Sequence, residues 1–114
     1  PIGNGIGPAL EARDLLWTLQ GHKNGSKQLV TKAITLAGML LELCGKKNGK
    51  KLAKELVKSG AAAQKFSEIL RAQGLQTDNP EAIKIGKLKH TVCATKSGKI
   101  KHIDNKIISQ TYHF

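Results

Sequence analysis

Apolar and polar positions along the chain follow one rhythm up to about residue 86 and another beyond it. In ALEARDLLWTLQ, Ala9, Ala12, Leu16 and Leu19 fall on one helical face; Pro8 suits the first helical position and Gly21 ends the run. After the loop HKNGS, Ser26 is placed to cap a second helix, SKQLVTKAITLAGMLLELC, which Gly45 closes. From Ala33 onward this helix is apolar on nearly every side except Lys32, Thr35 and Glu42, so it is expected to be the most buried element. Gly38 in its middle costs about 1 kcal/mol relative to alanine, which a close neighbouring backbone would offset.

The third helix, KKNGKKLAKELVKSG, is short. It has Asn48 as its cap, Leu52, Leu56 and Val57 facing inward, Lys50, Lys51, Lys54 and Lys58 on a solvated face, and Gly60 as its stop. A fourth, AAAQKFSEILRAQG, carries Ala62, Phe66, Ile69 and Leu70 as its stripe and ends at Gly74. The connector LQTDNPEAIKIG has strong turn chemistry at Asp78-Asn79-Pro80. The period then shortens. LKHTVCAT and KIKHID are β-rich runs that predict a hairpin across Lys96-Ser97-Gly98-Lys99. Asp104 is placed to cap a helical stub, NKIISQ, which breaks off in TYHF. The predicted fold class is therefore α+β: four helices, a β-hairpin and a stub. A lone hairpin is marginal in water and leaves its edges unpaired. The layout is expected to be part of a larger design, with the hairpin edge open to self-association.

Composition narrows the function. The chain has 114 residues, room for one small core. Its aromatics are Trp17, Tyr112, Phe66 and Phe114, so the core has to be aliphatic. Cys44 and Cys93 lie far apart, a usage expected of reduced thiols in a cytoplasmic protein. No apolar run reaches the roughly 18 residues of a membrane span, and no signal peptide is visible. The chain starts at Pro1 rather than Met, as a processed or excised piece would. The net charge of +11 comes from 17 lysines and 2 arginines. Nucleic-acid readers mix arginine and aromatics into their basic faces. Their scarcity here argues against specific nucleic-acid recognition and leaves weak, salt-sensitive association.

Three groups of residues invite a chemical reading. In PIGNGIGP, the glycines Gly3, Gly5 and Gly7 fit neither G-x-G-x-x-G nor a P-loop, no strand precedes them, and Pro8 removes one donor. Amides ahead of a helix can hold an anion, but a tight turn is the reading favoured here. Across the predicted hairpin, Cys93 faces His102 and Thr91 faces Asp104, which would set Cys93, His102 and Asp104 on one face and His90 on the other. This has the outline of a nucleophile, base and orienter, or of half a metal site. A one-residue slip dissolves it, and an incidental cross-strand pair is favoured. Glu11 and Asp14, beside Arg13, read as a helix N-terminal charge preference. No catalytic, substrate-binding or metal-binding residue is assigned, and no cofactor.

Four blocks in order resemble the thymidine and pyrimidine-nucleoside phosphorylase family, and within it the archaeal AMP phosphorylase branch. They are PIGNGIGPALEARDLLWTL, LVTKAITLAGMLLELCG, LVKSGAAAQKFSEILRAQG and TVCATKSGKIKHIDNKIISQ. The resemblance covers nearly everything from Pro1 to Gln110. It implies that residues 1–86 are the helical part of a large α/β domain, and that residues 87–114 begin a C-terminal β-rich domain, truncated. It implies phosphorolysis: phosphate displaces a base from C1 of a pentose, with phosphate and AMP or a nucleoside as the parent's partners. The family's phosphate loop and its serine–lysine base-contacting helix lie upstream of Pro1, so the resemblance carries no functional residue onto this chain. At Thr111 the sequence departs from the family pattern. The expected function is thus the scaffold portion of a nucleoside or nucleotide phosphorylase, inactive alone. The alternative is a small Lys-rich module that binds nucleic acid or an acidic protein.

Overall fold

The computed structural model describes residues 3–75 and 77–110. In chain order they form α1 (Pro8–Leu19), α2 (Lys27–Leu43), α3 (Gly49–Lys58), α4 (Ala61–Ala72), a 3-10 turn at Pro80–Ala82 and a short α5 (Asn105–Gln110). The four long helices arise where the apolar periodicity places them. Pro8 opens α1, and the Ser26 hydroxyl accepts from the Leu29 N–H at 3.2 Å to cap α2. The expected break in residues 111–114 lies outside the described residues.

The α2–α3 crossing organises the chain. At Gly38 an added Cβ would sit 2.6 Å from both N and Cα of Lys50, and at Gly49 one would sit 2.1 Å from the Gly38 carbonyl oxygen. The two backbones touch, which is the close approach expected of Gly38. Asn48 occupies the N-cap position of α3, but with φ 56° and no side-chain cap. The capping comes instead from α2, where Glu42 Oε1 accepts from the Gly49 N–H at 3.0 Å. At the connector, the Asn79 side chain accepts from the Glu81 N–H at 3.0 Å and opens the 3-10 turn, with Pro80 buried.

Two expectations are corrected. First, the described residues contain no strand, so the fold is helical rather than α+β. Residues 88–103, where the hairpin was expected, have Leu88 98% and Val92 86% exposed. The physical reason lies in what surrounds those runs. β-rich composition registers fit to a half-buried pleated surface, and no other element supplies one. The central Ser-Gly, flanked by Lys96 and Lys99, also lacks the Asn-Gly chemistry that drives a two-residue hairpin. With no ladder there is no hairpin edge for self-association in these residues. Second, α2 is not the most buried element: Gly38 is its one buried residue, and Leu36 is 51% and Leu43 83% exposed. Among the described residues, Leu16 and Ala53 form the apolar core, 5% and 4% exposed.

On α4, Lys65 and Glu68 pair one turn apart. The hydrogen bond and charge of Lys65 hold the Glu68 carboxyl below its ordinary value. A lowered folded-state pKa gives stability that is present above the unfolded pKa and lost as pH falls through the folded one. The pair is exposed, so the contribution is small and screened by salt. Acidification at low salt is expected to loosen α4 slightly by helical circular dichroism, and Glu68→Gln should remove that pH dependence.

Candidate functional site

The opening loop folds back onto α1, and two carboxylates of that helix take its amides. Asp14 Oδ2 accepts from the N–H of Asn4 at 2.6 Å and of Gly5 at 3.4 Å. Glu11 Oε1 accepts from the Gly7 N–H at 3.0 Å. The loop needs glycine because it lies so close to its own helix. Gly3 has φ 94°, and a Cβ there would sit 2.4 Å from Asp14 Oδ2; at Gly5 one would sit 2.4 Å from the Leu10 carbonyl oxygen. The amides that an incoming anion would require are therefore already held by anionic side chains. Glu11 lies in the first turn of α1, as a charge preference would have it. Asp14 does more, because it is 4% exposed and ties the loop down.

Beyond this latch, a cleft of about 510 Å³ opens between the loop, α1 and the turn into α2, bordered by Asn4, Arg13, Asp14, Trp17, Lys23 and Asn24. The Arg13 guanidinium lies 4.5 Å from the centre of the Trp17 ring, a cation–π contact. His22 stacks on the same indole with ring centres 5.7 Å apart and planes 16° from parallel. Trp17 Nε1 donates to Glu81 Oε1 at 2.9 Å and Gln20 Nε2 to the Asp78 carbonyl at 2.9 Å, so the connector is strapped to α1. Asp14 Oδ1 and Arg13 Nε are buried without a hydrogen-bond partner. Among the described residues no serine, threonine, cysteine or histidine borders the cleft; its charged lining is Arg13, Asp14 and Lys23, which can receive a polar group.

The cysteine-centred set is not assembled. Asp104 Oδ1 accepts from the N–H groups of Lys106 at 2.9 Å and Ile107 at 3.1 Å, so it caps α5. Cys93 is exposed, and without strands nothing sets Cys93, His102 or Thr91 in register, nor His90 on an opposite face. Among the described residues, no group of three or more His, Cys, Asp or Glu side chains could hold a metal ion. Cys93 is expected to react with iodoacetamide at pH 7 at the rate of free glutathione, and His102→Ala should leave that rate unchanged. A faster rate that falls in the variant would restore the pairing.

Sequence reasoning missed the Asp14 latch. A signal for it was available: three glycines ahead of a helix expose backbone donors that need acceptors, and Glu11 and Asp14 are the carboxylates in the first two turns of that helix.

The chain is 46% identical over 113 residues to an AMP phosphorylase of Thermococcus kodakarensis and 46% identical over 113 residues to one of Pyrococcus abyssi. It is 44% identical over 112 residues to one of Methanococcus maripaludis, and each match covers 96% of this chain and 22% of the relative. Along nearly its whole length the chain is thus similar to AMP phosphorylases. It spans about a fifth of the length of these AMP phosphorylases. No protein-family profile matches it, and no solved structure matches it. Among the described residues, no helix is long and apolar enough to cross a membrane.

Proposed function

We propose that this chain is a scaffold portion of an AMP phosphorylase, an enzyme in which phosphate displaces adenine from C1 of AMP and leaves ribose 1,5-bisphosphate. The observation that carries this reading is identity of 40–46% with AMP phosphorylases across 96% of the chain. Such a reaction develops positive charge on the sugar, so catalysis is mainly positioning and electrostatic stabilisation. In this reading residues 1–86 belong to the enzyme's large domain and residues 87–114 lead into the next one. Phosphate and base are held by groups outside this chain. The engagement of the loop amides by Asp14 and Glu11 supports that division, because it leaves the glycine loop a structural turn.

The test is a chimera in which this chain replaces the matched 113 residues of the Thermococcus kodakarensis enzyme. Adenine release from AMP that depends on phosphate is the expected result. The isolated chain should release no adenine above a boiled control. An inactive chimera that is nonetheless folded, or release by the isolated chain, would overturn the reading.

A further inference from the structure

Among the described residues, one side of α2 is left uncovered. α3 crosses α2 at Gly38, yet Leu36, Met39, Leu40 and Leu43 remain more than half exposed on the same helix. Their spacing of three, one and three residues makes a continuous apolar stripe, in line with Ala33 and Leu29 one and two turns earlier. Beside that stripe runs a groove of about 460 Å³ between α2, α3 and the ends of α1 and α4, with Leu19, Ala37, Leu40, Cys44, Ala53 and Leu56 among its walls. No charged or amide side chain lines it. An exposed apolar surface of this continuity marks a contact site.

We propose that this stripe and groove dock the part of an AMP phosphorylase that the chain does not span, through an uncharged apolar face of that part; this rests on the functional reading above. Two observations select that occupant. The relatives matched over 96% of this chain are covered to only 22% of their own length, so in this family most of the polypeptide is available to cover the surface. Charge disfavours a second copy. The chain carries +11, and two copies would bring like charge together. The stripe itself is nearly free of ionised groups: Lys32 and Glu42 border it, and Glu42 is already bonded to the Gly49 amide. The lysines of α3 lie off the groove wall, since none of them lines it. A partner for this face therefore needs apolar side chains and no carboxylates.

Cys44 lies in the groove and is exposed in this chain, whereas Cys93 is exposed and remote from it in sequence. The experiment compares iodoacetamide labelling of both cysteines, peptide by peptide, in the isolated chain and in the Thermococcus kodakarensis chimera. The expected result is Cys44 slowed by about tenfold or more in the chimera with Cys93 unchanged, as protection requires opening of the covered face. In the chimera, Leu40→Asp with Leu43→Asp should restore Cys44 labelling and lower Tm, while the same pair should leave the Tm of the isolated chain unchanged. Equal Cys44 rates in a folded chimera would overturn the proposal. So would a chimera that fails to fold, because the face is claimed to fit the relative's remaining surface. Concentration-dependent protection of Cys44 in the isolated chain would assign the face to a second copy and overturn it too. A folded chimera with shielded Cys44 but no adenine release would defeat the functional reading and leave the docking intact.

Discussion

Gly49→Ala is expected to remove about 3 kcal/mol of stability, enough to unfold much of a chain with so small a core. A Cβ at Gly49 would lie 2.1 Å from the Gly38 carbonyl oxygen, a backbone atom that no rotamer change can move aside. Gly49 has no positive φ, so alanine fits its backbone conformation and the loss isolates the steric term. Relief requires α2 and α3 to separate, which also breaks the Glu42–Gly49 hydrogen bond. The measurement is a urea melt followed by helical circular dichroism, with Lys51→Ala on the exposed side of α3 as control. That control is expected to stay within about 0.5 kcal/mol. A Gly49→Ala midpoint that matched the control's would show that the helices do not touch as described.

Asp14→Ala comes next in size, at about 2 kcal/mol, because it strips an ionised acceptor from two amides of the opening loop. The effect is expected to be local in its clearest readout. Hydrogen exchange at Asn4 and Gly5 should quicken sharply, while α3 and α4 keep their protection. Asp14→Asn retains one carbonyl oxygen and should recover part of the loss. If exchange at Asn4 and Gly5 were unaltered in both variants, Asp14 would not be what holds the loop.

These two sites differ in how far the sequence announced them. Gly38 stood out as a costly residue inside a strongly apolar helix, and close backbone contact was the simple explanation; the structure supplies its partner in Lys50 and Gly49. Asp14 was read only as a helix N-terminal charge, since its role depends on a loop folding back over 10 residues, which no helical period encodes. The apolar pattern of α2 was read as burial, and the structure leaves much of that face exposed. Periodicity states that a face needs covering and is silent on what covers it. The β-rich runs misled for a related reason. Val92 and Ile100 suit a sheet, but a sheet is a collective object, and the described residues offer them no strand to pair with.

Trp17 is the sole indole of the chain. Held between Arg13, His22 and Glu81, it makes intrinsic fluorescence a gauge of one joint, that of α1 with the connector. An emission change that precedes the loss of ellipticity on heating would show this joint parting while the helices stay wound, and would date the end of two-state behaviour.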